Sequence, residues 1–182
     1  MALPHYDISQ ASNKQQEIVY PNLFEVTFLP PAGIDGGLLL EHVNTIGGLG
    51  GVNPAIDPVD QKYKFADRSY AGMPATTSID VTVNFSLNLN SSNQLYTYKT
   101  LRDWYKKSYD PETGEMGLKK DYTGTLIIVQ YNRAGDIFRK LTLYHVFITG
   151  GLSLADSLEY GSNDAVTLDV VFRCNKWNEE LV

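Results

Sequence analysis

Residues Ser78–Asn90 read SIDVTVNFSLNLN. Ile79, Val81, Val83, Phe85, Leu87 and Leu89 fall on one face, and Ser78, Asp80, Thr82, Asn84, Ser86 and Asn88 on the other. A strict period of two predicts a strand with one dry and one wet face. The wet face is small, polar and almost uncharged. Half-wet strands belong to antiparallel sheets, because parallel sheets are covered on both sides.

The same period recurs on either side. In PNLFEVTFLPP, Phe24, Val26 and Phe28 oppose Glu25 and Thr27, and Pro30 and Pro31 end the run. AVTLDVVFRC places Val166, Leu168, Val170, Phe172 and Cys174 on one face. GTLIIVQYN and IFRKLTLYHVFI flank NRAGD, which predicts a hairpin of two long strands. GGLLLEHVNT predicts a strand over Leu38–Val43, antiparallel to the first. Tyr63 and Phe65 alternate with Lys62 and Lys64, as in one arm of a hairpin, and GGLSLADSLEYGSND suggests a short strand with two turns.

SSNQLYTYKTLRDWYKKSY is the one good helix pattern. Ser91 and Gln94 have capping-box spacing. Leu95, Tyr98, Leu101, Trp104 and Tyr105 form an apolar stripe, and Lys106 and Lys107 suit the negative end of the helix dipole. Six or seven strands and one helix predict a mainly β fold, an antiparallel β-sandwich or barrel with a flanking helix. The 182 residues fit a single domain, with residues 1–19 as a polar arm ordered only by contacts.

Fifteen basic against 21 acidic residues give a formal charge of −6. That argues against gripping nucleic acid through its phosphates, but an acidic wall suits nucleic acid that merely passes. The one cysteine, Cys174, allows no internal disulfide and reads as a buried thiol. The first twenty residues lack the pattern of a secretion signal, and no apolar run approaches membrane-spanning length. A reducing cytosol is the expected place of synthesis.

Catalytic and ligand motifs are hard to find. GGLGG lacks the Gly-Lys-Ser/Thr of a phosphate loop, and DPETGE lacks the carboxylate spacing of a calcium loop. His5, His42 and His145 have no metal-ligand spacing. Ser153, Asp156 and His145 could be drawn as a triad, but nothing marks a nucleophile elbow. The expectation is a chain without catalysis, cofactor or metal.

Residues Thr45–Asp57, TIGGLGGVNPAID, sit within a long irregular stretch from Asn44 to Pro74. Compact domains seldom keep such loops without a use. Exposed aliphatic side chains there would be a hazard in a monomer, and the hazard disappears if they lie on another subunit. Ile46, Leu49, Val52, Ile56, Tyr63 and Phe65 are therefore the expected contacts between stacked rings. A contact between two different patches does not close and can propagate as a tube.

Named similarity supports this. PNLFEVTF resembles the opening strand of the tail tube proteins of T-even-type contractile-tailed phages, a family related to the type VI secretion inner-tube protein. SYAG followed by SIDVTVNF resembles that family's strand after its inter-ring loop, and LRDWY the aromatic end of its helix. KKDYTGTLIIVQYNRAGDI and SNDAVTLDVVFRCNKW resemble its next hairpin and its terminal strand. The pieces keep their order and cover Tyr20–Trp177.

The resemblance implies a structural subunit of a virion tail tube, assembled in the host bacterial cytoplasm. Hexameric rings would join their sheets into an inner barrel and stack inside a contractile sheath. Sheath, baseplate or tube-initiator, and tail-terminator proteins would be partners, and double-stranded DNA would pass without specific binding. The chain would not insert into a membrane. Asp80, Thr82, Asn84 and Ser86 would face the lumen. Alternatives are the inner tube of a type VI secretion or related injection system, a baseplate-proximal initiator, or, in another class, a ligand-binding β-barrel.

Overall fold

In the computed structural model, which describes residues 19–74, 78–89, 94–150, 152–154 and 165–182, the alternating stretch is a strand from Ile79 to Ser86. In chain order the strands are β1 Phe24–Leu29, β2 Val43–Gly47, β3 Ile56–Lys62, β4 Asp67–Pro74, β5 Ile79–Ser86, β6 Gly124–Tyr131, β7 Ile137–Ile148, β8 Thr167–Cys174 and β9 Lys176–Leu181. Helix α1, Tyr96–Ser108, and a single turn α2, Lys119–Tyr122, lie between β5 and β6. Every strand pairing is antiparallel.

Seven strands form one bent sheet in the order β1-β6-β7-β8-β5-β2, with β9 added to β7. The bend lies in β7. Residues Arg139–Tyr144 pair with β9, whereas Phe147 and Ile148 pair with β8. Between them His145 has φ 55°, and the register with β6 jumps from Tyr144 to Val146. One extra residue in a strand kinks it and lets it change sheets. Across the same corner, the Cys174 thiol donates to the carbonyls of Tyr144 and Lys176, at 3.4 and 2.9 Å.

The bend brings two dry faces together. Val26, Phe28, Leu126, Ile128, Leu141 and Leu143 come from one side, and Val81, Val83, Phe85, Leu168, Val170 and Phe172 from the other. Phe28 stands 5.5 Å from Phe85 and 6.0 Å from Phe172, ring centre to ring centre. Each such aromatic contributes about 1.5–3 kcal/mol by leaving water. These side chains fill the space between the two faces.

Helix α1 closes one flank. Leu101 and Trp104 of the expected stripe are buried, and Tyr98 and Tyr105 pack half-buried beside them. Trp104 sits 5.5 Å from Phe172, and its indole N–H donates to the Tyr122 carbonyl at 2.8 Å. Gly124 makes this approach possible, because a Cβ there would meet the indole at 2.7 Å. Lys106 reaches Glu112 at 2.8 Å, and Lys107 donates to the Ala32 carbonyl.

Several expectations are corrected. Leu38–Val43 is not a strand: Leu39–His42 is a 3-10 turn that buries only Leu39, and pairing begins at Val43. An apolar run this short has no period to tell turn from strand. The alternating strand stops at Ser86, leaving Leu87 half-buried and Leu89 exposed. Val166 is likewise exposed, just ahead of β8. The helix starts at Tyr96, with Leu95 at its N-cap in the left-handed region at φ 53°; Ser91 lies outside the described residues. Strand β9 was not anticipated. The NRAGD turn stands as read, with Gly135 at φ 90° and the Asp136 N–H donating to the Asn132 side-chain oxygen at 2.8 Å. The strand suggested for GGLSLADSLEYGSND falls mostly outside the described residues.

Candidate assembly surfaces

The long irregular stretch resolves into a two-stranded hairpin. Among the described residues β3 and β4 pair only with each other, separate from the main sheet. The turn is closed by the Tyr63 N–H donating to the Ala66 carbonyl at 2.9 Å. On one face Val59 lies opposite Tyr70 and Gln61 opposite Arg68. Tyr63 continues that face: its hydroxyl donates to Gln61 at 2.8 Å, and the Arg68 guanidinium lies 5.8 Å from its ring centre. On the other face Ser69 donates to Asp60 at 2.6 Å, next to the Pro58–Ala71 pair.

Every residue of β3 is exposed, and so is every residue of β4 except half-buried Gly72. Ile56, Val59, Tyr63, Tyr70, Met73 and Phe65 all face solvent, Phe65 at 91%. A lone two-stranded ribbon is marginal in water, since it has no sheet or helix to cover a face. The tip, Lys62–Arg68, carries Lys62, Lys64 and Arg68 against Asp67, so it is locally basic within an acidic chain.

The expected inter-ring residues therefore divide. Ile56, Tyr63 and Phe65 lie on the hairpin and are exposed. Ile46 and Leu49 are half-buried against the core, and Val52 is part of it at 5% exposure. The breaker-rich stretch is not a floppy loop. Gly48, at φ 84°, turns the chain into a 3-10 turn over Leu49–Val52, which lies against the start of β5. This turn anchors the feet of the hairpin. Val59, Tyr70 and Met73 were missed, since their exposure depends on pairing that local sequence does not reveal.

Asp80, Thr82, Asn84 and Ser86 do share the outer face of β5. Asp80, Asn84 and Ser86 are tied into a hydrogen-bonded polar ladder. Arg173 grips Asp80 with two donors at 2.7 and 2.6 Å. Asn84 donates to Asp169 at 2.7 Å and accepts from Asn44 at 2.9 Å. Ser86 donates to the His42 carbonyl at 3.2 Å. The hydrogen bond and charge of Arg173 hold the Asp80 carboxyl below the usual carboxylate range despite partial desolvation. The guanidinium is raised in turn, chiefly by the same hydrogen bond. Arg173 balances the charge of Asp80, while Asp169 is hydrogen-bonded by a neutral amide, so the surface is polar and weakly acidic. On the opposite sheet, a hydrogen bond to Glu25 raises the Tyr131 phenol.

Sheet edges form a third surface. Among the described residues β1 pairs only with β6, β2 only with β5, and β9 only with β7, so each has one edge unpaired by them. Open edges invite pairing with another chain.

Among the described residues no cluster of three or more His, Cys, Asp or Glu could hold a metal. His42 and His145 lie on different elements, and His5 and Asp156 fall outside the described residues. Burial raises the Cys174 thiol. A shallow depression near His145, lined by Leu29, Pro31, Lys120 and Tyr144, is open to solvent. Among the described residues no helix is long and apolar enough to cross a membrane.

Solved structures with the same fold come from contractile injection systems. A chain of the tube-terminating cap of the anti-feeding prophage matches at TM-score 0.61 and 12% identity, over 92% of this chain and 93% of that one. A chain of the sheath-tube complex of the extracellular contractile injection system PVC matches at 0.57 and 17%, over 97% and 99%. A chain of the PVC sheath/tube terminator matches at 0.58 and 13%, over 91% and 99%. No protein-family model matches the sequence, and no curated protein matches it. The chain has a mainly antiparallel β fold with one main helix, of the kind found in tube and terminator assemblies of contractile injection systems. The correspondence is end to end, so it covers the whole fold.

Proposed function

We propose that the protein is a structural subunit of the inner tube of a contractile tail, in the first instance that of a bacteriophage. Subunits close into a hexameric ring through their open sheet edges, rings stack inside a sheath, and the tube gives DNA a passage. One observation carries the reading: a projecting hairpin that buries nothing in its own subunit yet exposes Ile56, Val59, Tyr63, Phe65, Tyr70 and Met73. Its end-to-end likeness to subunits of tube assemblies gives that hairpin a natural use. In the tube, the polar ladder of β5 lines the lumen, where a weakly acidic wall lets DNA slide.

Negative-stain electron microscopy across a concentration series tests the proposal. Hollow tubes of uniform width, or rings stacking as concentration rises, are the expected result. A subunit that stays monomeric alone and in the presence of a tube initiator would overturn it. A second reading, a terminal ring that caps a tube, is favoured by the equally good fit to cap and terminator chains. A cap forms single rings that do not stack on one another and that stop the growth of another protein's tube.

A further inference from the structure

Both feet of the hairpin stand at one end of β5. The turn over Leu49–Val52 packs beside Ile79, and β4 leads back to the same end. The other end of the same three-stranded patch holds a separate group of exposed apolar residues. Val43 pairs with Phe85, and Ser86 with Thr167. Leu40 precedes β2, Leu89 follows β5 and Val166 precedes β8, so all three extend beyond this end. Their exposures are 37, 73 and 46%. Each belongs to an apolar pattern that the sheet fails to cover.

We propose that the hairpin tip of one copy seats on the Leu40, Leu89 and Val166 end of the next copy. The inference rests on the tube reading and names the acceptor that it lacks. Three observations argue for a second copy as the occupant. First, the eight residues of β5 separate the feet of the hairpin from the acceptor end by about 26 Å, and the hairpin is exposed along its length rather than covered by its own chain. Second, the charges are complementary. The tip bears Lys62, Lys64 and Arg68 against Asp67, while the acceptor end carries exposed Glu41 beside Leu40 and exposed Asp35 in the same segment. Neither acidic residue has an ion-pair partner among the described residues. Third, both surfaces combine exposed apolar side chains with charges close by in sequence, Phe65 beside Lys64 and Leu40 beside Glu41, a mix of the kind found at interfaces. Donor and acceptor are different surfaces at opposite ends, so the contact repeats in one direction without closing.

The test uses the full chain with two blocked forms. Phe65→Asp blocks the donor, and Leu40→Asp with Leu89→Asp blocks the acceptor. Rings of each form are prepared separately and examined by electron microscopy. Each alone stays as single rings. Mixed, they give stacks of two rings and no longer, because only one donor–acceptor pairing remains. A charge swap provides an independent reading. Glu41→Lys and Lys64→Glu each raise the concentration at which tubes appear, and the two together in one chain bring it back down.

Full-length tubes from the acceptor-blocked form, or a charge swap that never recovers, would overturn the proposed contact while leaving the tube reading intact. A wild-type chain that never forms rings or tubes would overturn the tube reading and this contact together.

Discussion

Replacing Phe65 by alanine separates folding from assembly. Phe65 is 91% exposed, and among the described residues its ring has one partner, the Lys64 ammonium at 5.4 Å. An exposed cation–π contact is worth at most about 1 kcal/mol. The subunit should therefore lose less than about 1 kcal/mol, a shift in Tm of roughly 2–4 °C for a domain of this size. Assembly responds on another scale. Seating one Phe in an apolar pocket gains about 1.5–3 kcal/mol. In the proposed hexameric ring that contact is made six times per junction, so the junction would lose about 9–18 kcal/mol. Each 1.4 kcal/mol is about tenfold in an equilibrium constant, so stacking should vanish at any workable concentration. Thermal unfolding followed by circular dichroism gives the first quantity, and sedimentation with electron microscopy the second. Tubes of wild-type length at the wild-type concentration would refute the reasoning. So would a Tm drop of about 10 °C, which would place Phe65 in the fold rather than at a contact.

Three further predictions concern the fold that carries the hairpin. Trp104→Ala removes the ring under α1 and the hydrogen bond to Tyr122, so it should cost about 3–5 kcal/mol in urea unfolding; a loss near zero would mean the helix is not docked as described. Asp80→Asn weakens an ion pair whose side chains are nearly half exposed, so its cost at neutral pH should be under about 1 kcal/mol. Arg173 depresses the Asp80 carboxyl in the folded state, so its contribution is present above the unfolded value of 3.8 and is lost as pH falls through the folded one; a penalty unchanged at the lowest pH where the protein stays folded would contradict this. Burial raises the Cys174 thiol, so its contribution is complete below the unfolded value of 9.0 and fades as pH rises through the folded one. A disulfide reagent at neutral pH should label Cys174 only as fast as the protein unfolds, and fast labelling of the native state would show that the corner at Tyr144 and Lys176 is open.

The parts of the fold legible in the sequence are those where the subunit supplies both faces of the contrast. Strands β5 and β8 alternate because one side meets Phe28 and Trp104 and the other meets water. The β6–β7 hairpin is legible because its turn has its own chemistry in Asn132, Gly135 and Asp136. Strand β9 reads KWNEEL and hides for a local reason. It is an edge strand whose Glu179 is engaged by Arg139 at 2.6 Å, so a charge stands where an apolar residue would have marked the dry face. Leu38–Val43 misleads in the opposite way, because an apolar run with a single buried residue, Leu39, looks like a strand.

The hairpin β3–β4 is hidden for a deeper reason. Periodicity records the difference between core and solvent, and within one subunit both faces of this ribbon meet solvent. Its side chains therefore alternate in no recognisable way: Val59 and Tyr70 share a face with Gln61 and Arg68, while Pro58 and Ala71 share the other with Asp60 and Ser69. A pattern set by a surface outside the chain cannot be recovered from the chain's own burial. The same holds for Leu89 and Val166, which continue the alternation of β5 and β8 beyond the point where the subunit covers it. Apolar periodicity that outruns its sheet at one end, and an apolar ribbon with no sheet at the other, are two halves of one deficit. In the proposed tube, stacking copies in a single direction would satisfy both at once.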